Sequence, residues 1–218
     1  MATSKLVKGI LDDMNKTITE LRCKGLLRDE KGIHQSCIGR DIFEISYSNK
    51  NELGSIVYDN HVSSTDIINT LLLGQQYTIL LYDKGFIQAE FMVQGGRVIK
   101  ERLVFMKKHN KVWDAKEIDE YELMDEDWFS EETGVPIMLR VDFAPDDHKE
   151  CDHAATHLTI SNHEYCRIPI KGIVTFSEFI RFVLFHFYNI KLDLKSFRSS
   201  TNETITELEK QMIHINWI

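Results

Sequence analysis

The chain has 218 residues, of which 43% are hydrophobic and 28% charged, with a formal net charge of -8 at pH 7. That is enough apolar material for one substantial core without disulfide or metal staples, while the negative balance disfavours unspecific adhesion to phosphate backbones or anionic lipid and leaves room only for a local basic site. No apolar run approaches the roughly 20 residues of a bilayer-spanning helix. The opening MATSKLVKGILDDMNK lacks the apolar core and cleavage site of a secretory signal. Cys23, Cys37, Cys151 and Cys166 show no CxxC spacing and read as packing thiols of a reducing compartment. A cytoplasmic location without membrane attachment is therefore expected.

Apolar residues at Leu6, Val7, Ile10, Met14, Ile18 and Leu21 form one stripe of 3.6-residue period, which predicts a helix over Lys5 to Lys24 ended by Gly25. Leu26 to Gly39, rich in charge and glycine, reads as a loop, and the alternation from Asp41 to Ser48 as an early strand. Ser63, Ser64 or Thr65 caps a short helix from Asp66 to Leu73, stopped by Gly74. Tyr77 to Tyr82, Gly85 to Val93 and Arg97 to Lys107, split by Asp83-Lys84-Gly85 and Gln94-Gly95-Gly96, predict a three-stranded antiparallel meander. The acidic stretch Asp114 to Glu132 reads as a solvated connection, with a partner-docking element as the alternative. Ile137 to Phe143 alternates as a strand between Pro136 and Pro145, and Thr175 to Tyr188 carries the broad apolar face of a helix that should cover the sheet. A final short helix capped by Ser199, Ser200, Thr201 or Asn202 follows. The apolar Ile215, Trp217 and Ile218 are expected to dock, on the domain or on a second subunit.

These elements predict a single α+β domain over 1–218, with an N-terminal helical and strand region (1–74), an antiparallel sheet (75–172) and C-terminal helices (173–218). The sheet should have about five to seven strands packed by the N-terminal and C-terminal helices.

The densest chemistry lies in the segment from Asp152 to Gly172, DHAATHLTISNHEYCRIPIKG. Its period-2 pattern predicts a tight hairpin with a loop at Asn162 to Tyr165. Leu158 and Ile160 should pack inward with Cys166, Ile168 and Ile170, which puts His157, Thr159 and Arg167 on the opposite face. If the preceding strand is the sheet neighbour, Arg140 and Asp142 join them. Two guanidinium groups can hold phosphate or carboxylate, and a histidine beside an aspartate can act as general acid or base. The candidate catalytic residues are thus His157, Asp142, Arg140 and Arg167, with His153, Thr159 and Arg167 for ligand binding. The bland alternative is a set of cross-strand pairs on the wet face of a sheet.

Three further constellations carry less. His148, Cys151, His153, His157, His163 and Cys166 are all metal-ligand types, yet C-x-H-x3-H-x5-H-x2-C matches no standard zinc pattern, so the metal is left unassigned. His157-Leu158-Thr159-Ile160 has the form found in two-histidine phosphoesterases, but its partner His61-Val62-Ser63 is degenerate and reads better as a helix cap. Glu90, Glu101 and Asp142 read as surface carboxylates, and Lys107, Lys108, His109 and Lys111 beside Trp113 as a solvated turn, with a nucleic-acid contact as the alternative. Standard nucleotide-binding and acyl-transfer motifs are absent, and the cofactor is left unknown.

In its order of segments, YTILLYDKGFIQAEF, VIKERLVFM, PIMLRVDFAPDD, DHAATHLTISNHEYCRIPI and FSEFIRFVLFHFY, the stretch from about Tyr77 to Tyr188 resembles a bacterial family known as domain of unknown function 2290. His153, His157, Leu158, Ile160, Cys166, Arg167, Ile168 and Pro169 match that family's hairpin, while Ala154 stands where proline is usual. The resemblance implies a bacterial cytosolic origin, points again to His153, His157, Arg140 and Arg167, and supplies no activity. Families of this kind often accompany mobile or defence genes. The expected function is an interaction subunit with a protein or nucleic-acid partner, or a homo-oligomer, with a defence or mobile-element system as its setting; the alternative is phosphodiester hydrolysis on the histidine and arginine face.

Overall fold

The computed structural model describes residues 5–59, 61–108, 135–161, 163, 165–193 and 203–216. The N-terminal stripe forms helix α1 (Lys5–Cys23), which buries Val7, Ile10, Met14, Ile18 and Leu21. Helix α2 (Ser64–Leu73) starts at Ser63, whose Oγ accepts the Asp66 amide at 3.1 Å. Helix α3 (Phe176–Tyr188) starts in a reciprocal capping box between Thr175 and Glu178 and stops at Asn189, held in the left-handed region at φ 54°. Both caps satisfy amides that a helix start leaves without carbonyls.

Nine strands form one antiparallel sheet: β1 (Leu27–Glu30), β2 (Ile33–Gly39), β3 (Ile42–Tyr47), β4 (Ile79–Leu81), β5 (Phe86–Gln94), β6 (Arg97–Lys107), β7 (Ile137–Phe143), β8 (Thr156–Ile160) and β9 (Ile168–Pro169). The path runs β1-β4-β5-β6-β7-β8-β9, and the β2–β3 hairpin joins the far half of the long β5. The meander expected from Tyr77 to Lys107 is β4-β5-β6. The expected loop from Leu26 to Gly39 is corrected: it is the extended run β1 and β2, which pairs with β4 and β3 along the edge of the sheet.

One face of the sheet is covered by α1 and α3. Strand residues Phe43, Ile45, Ile79, Ile87, Phe91, Leu103, Phe105, Val141 and Leu158 meet the apolar stripes of both helices there. Asp13 of α1 ties the two helices together by accepting the Ser177 amide at 3.0 Å. The other face is covered over one half only, where Val57 from the 3-10 segment Glu52–Tyr58 and Ile67, Ile68 and Leu71 of α2 pack on Phe86, Val104, Met106 and Met138. Its second half stays polar and holds the candidate site.

Lys107, Glu101 and Asp142, all expected at the surface, lie inside. Lys107, placed in a solvated basic turn, is instead 2% exposed and bonded to Asp83; Lys108 is half-buried, and His109, Lys111 and Trp113 lie outside the described residues, as does the acidic stretch Asp114 to Glu132. Glu101, expected as a surface carboxylate, is 1% exposed beneath the start of α3. One oxygen accepts the Val174 amide at 3.3 Å, and Oε2 has no partner among the described residues. Burial pushes its carboxyl well above the usual range, with Glu178 and Asp142 adding repulsion.

A carboxyl whose folded pKa is raised stabilises the fold below its unfolded value of about 4.3, and that contribution is lost as pH rises through the folded pKa. Glu101→Gln removes the ionisation. The variant is expected to melt higher than the parent at pH 8, by an amount of order 1 kcal/mol, with the gain shrinking toward pH 5. Melting curves that stay parallel across this range would refute the assignment.

The C-terminal segment docks on the domain. Ile215 makes a parallel bridge with Ile170, and its amide donates to the Pro169 carbonyl at 2.8 Å. Glu209, 0% exposed, accepts from the Thr206 amide at 2.9 Å and lies 3.1 Å from His148 Nε2. The expected caps at Ser199 to Asn202, together with Trp217 and Ile218, lie outside the described residues, and the only helical turn in the described tail is the 3-10 segment Glu209–Gln211. No described helix is long and apolar enough to cross a membrane.

Candidate functional site

Strand periodicity and register together build a row of charge across the polar half of this sheet face. Glu90 of β5 stands opposite Arg102 of β6, Arg102 opposite Asp142 of β7, and Asp142 opposite His157 of β8. One step along, Arg140 stands opposite Thr159. His157, Thr159, Arg140 and Asp142 thus share one face, as alternation requires. Arg167 does not join the ladder. In the second arm of the hairpin only Ile168 and Pro169 pair, with Pro169 opposite His157, so Arg167 lies beyond the paired residues, half-buried.

The expected inward packing holds for Leu158 and Ile170 but is corrected for Ile160, which is 40% exposed at the end of β8. Cys166 is half-buried ahead of the short β9, while Ile168 packs at the margin of the core.

The charged groups are committed to one another. Arg140 Nε donates to Asp142 Oδ2 at 2.6 Å, and its Nη1 donates to the Val57 carbonyl at 2.8 Å. Arg102 pairs with Glu90, and Lys50 bridges Glu90 and Glu44 at 2.7 and 2.6 Å. Burial works against the Glu90 carboxylate, yet the Arg102 and Lys50 charges hold it below the usual range. Both guanidinium groups lie over the Tyr58 ring, each 4.8 Å from its centre. Such contacts add cation–π attraction to the ion pairs. Arg102 Nε is buried and has no partner among the described residues.

His157 is 3% exposed. Its Nδ1 lies 2.8 Å from the Ala154 carbonyl, an oxygen that can only accept, so Nδ1 carries the proton. Burial holds the imidazole below its ordinary pKa. In the neutral ring Nε2 is then a bare acceptor, 3.9 Å from Asp142 Oδ2, too far and of the wrong polarity for a hydrogen bond. A backbone carbonyl, and not Asp142, sets this ring's tautomer. His153 packs edge-on against it with ring centres 4.7 Å apart; burial lowers its pKa too, and the Arg167 charge lowers it further. Thr159, 4% exposed, lies under the same face.

The other constellations do not assemble. Among the described residues no three His, Cys, Asp or Glu side chains gather so as to hold a metal ion. Ser63, the hydroxyl of the degenerate phosphoesterase motif, caps α2 and also donates to Asp66 Oδ2 at 2.6 Å. Lys50, Glu44 and Tyr58 were not legible as site residues. The parity shared by Glu90, Arg102 and Asp142 marks the charged row, whereas a tyrosine closing an irregular segment carries no periodic signal.

No curated protein and no solved structure matches the chain. A family model described as "Uncharacterized conserved protein (DUF2290)" matches residues 27–217, and it takes in every strand from β1 to β9, so the chain belongs to the DUF2290 family.

Proposed function

We propose that this chain is a non-catalytic interaction protein, bacterial and cytosolic, acting with a macromolecular partner in a defence or mobile-element setting. The observation that carries this reading is the pairing of charges on the polar sheet face. Three of its cations, Lys50, Arg102 and Arg140, are matched by three carboxylates, Glu44, Glu90 and Asp142. A phosphate approaching any of these three would have to displace a carboxylate from it. With a net charge of -8 over the chain, a protein partner is favoured over a polyanion. Large apolar side chains left to water at separate places, Leu73 (87%), Tyr165 (76%) and Ile213 (89%), are of the kind that interfaces bury.

One observation favours phosphodiester hydrolysis as a second reading: the unprotonated His157 Nε2 lies in the same charged row as two arginines. One experiment separates the two. The protein is purified from its native operon, and the wild-type chain and a His157→Ala variant of unchanged circular dichroism are assayed on single-stranded and duplex nucleic acid. Expected are a co-purifying protein and no turnover that depends on His157. Hydrolysis by the wild type that disappears in the variant would establish the enzyme instead.

A further inference from the structure

The outer edge of the sheet is one extended run, β1 followed by β2, and its two halves are guarded very differently. Along β1 and just after it stand Arg28, Asp29, Glu30 and Lys31, four consecutive charged residues. Strand β2, Ile33–Gly39, has no Lys, Arg, Asp, Glu or Pro in its seven residues, and Ile38 on it is 53% exposed beside the exposed Cys37. It pairs with β3 in unbroken register from Ile33↔Tyr47 to Cys37↔Phe43. On its other side it has no strand among the described residues. A regular strand edge presents unsatisfied N–H and C=O groups, which sheets ordinarily blunt with charge, proline or a cover. Here only the first half is blunted.

We propose that β2 is a self-association edge: two copies of this chain pair their β2 strands antiparallel about a two-fold axis at Ser36, joining their sheets into one. The composition fits this occupant. Centred on Ser36, the register sets Ile33 against Gly39, His34 against Ile38 and Gln35 against Cys37 of the second copy, so no like charges meet. It also brings Lys31 of each copy, 2.7 Å from its own Asp29, to the turn that holds Arg40 and Asp41 of the other, so acidic and basic groups meet at both ends of the paired segment. A two-fold contact of this kind is isologous and closes at the dimer, where a head-to-tail contact would propagate. The pairing is independent of any partner bound elsewhere.

Sedimentation velocity at micromolar concentration tests it. The wild-type chain should sediment as a dimer. A Ser36→Lys/Ile38→Lys variant, which sets two lysines opposite each other on the axis, should sediment as a monomer with an unchanged far-UV circular dichroism spectrum. In a background with Cys23, Cys37, Cys151 and Cys166 replaced by serine, Ser36→Cys should give a disulfide-linked dimer on mild oxidation. A wild-type monomer, or a dimer that survives the double lysine variant, overturns the proposal; a dimer that fails to cross-link at position 36 overturns the register.

Discussion

Replacing Asp83 by alanine is expected to destabilise the fold by about 3–5 kcal/mol, the cost of breaking one side of a buried ion pair. Asp83 is 3% exposed, and three donors converge on its carboxylate: Lys107 Nζ, the Tyr188 hydroxyl at 3.0 Å and the Gly85 amide at 3.1 Å. Lys107, itself 2% exposed, also lies 4.8 Å from the centre of the Tyr188 ring. Without the carboxylate an ammonium, a phenol and an amide would all be left dry and unpaired, each at a desolvation cost. There is no slack for rearrangement, since a methyl group at Gly85 would already collide with the Tyr188 hydroxyl. Urea denaturation at pH 7 checks the loss. A companion variant, Asp83→Leu/Lys107→Met, should recover much of it, because an apolar pair of similar volume leaves no charge behind. A single-variant loss below about 1 kcal/mol would show that water reaches the cluster.

That cluster also shows where the sequence stopped being legible. Asp83-Lys84-Gly85 was readable as a turn, and it is one, but nothing in a turn signal says that α3 will close over it and bury the aspartate. The same limit runs through the sheet. Period-2 alternation correctly separated His157 and Thr159 from Leu158, because parity is a local property of the backbone. Whether either side would be covered depended on elements distant in sequence. His157 is buried, with its Nδ1 against the Ala154 carbonyl and the His153 ring packed edge-on against it, where the bland alternative was a wet face.

Helices α1 and α3 were legible because each buries one stripe, whereas β1 and β2 were not, because an edge strand is half-wet on both sides and leaves no alternation to read. The hairpin's second arm was read too long for a related reason. At Ile170, whose amide still donates to the Thr156 carbonyl at 2.9 Å, the C-terminal tail pairs through Ile215 on the other side of the chain, across most of the domain, and no short-range pattern encodes that.

The charged row makes the second large prediction: Asp142→Ala should cost about 3 kcal/mol, and most of that cost should disappear when Arg140 is also removed. Asp142 is 7% exposed and holds Arg140 through the 2.6 Å bond to its Nε. Removing it takes the carboxylate away from a largely buried guanidinium that also donates to the Val57 carbonyl and lies over the Tyr58 ring. Truncating one member of a buried, hydrogen-bonded pair is costly chiefly because the other stays charged. A double-mutant cycle with Arg140→Met isolates that coupling, because the methionine keeps the stem's packing on Tyr58 without the charge. The cycle also bears on function. In a row whose charges exist to hold the polar half of this sheet face, the coupling should appear in stability, and partner recovery from the native operon should survive in the folded double variant. If stability were nearly untouched while partner recovery or nucleic-acid hydrolysis collapsed, the row would be a working surface and the interaction reading would have to place its contact there.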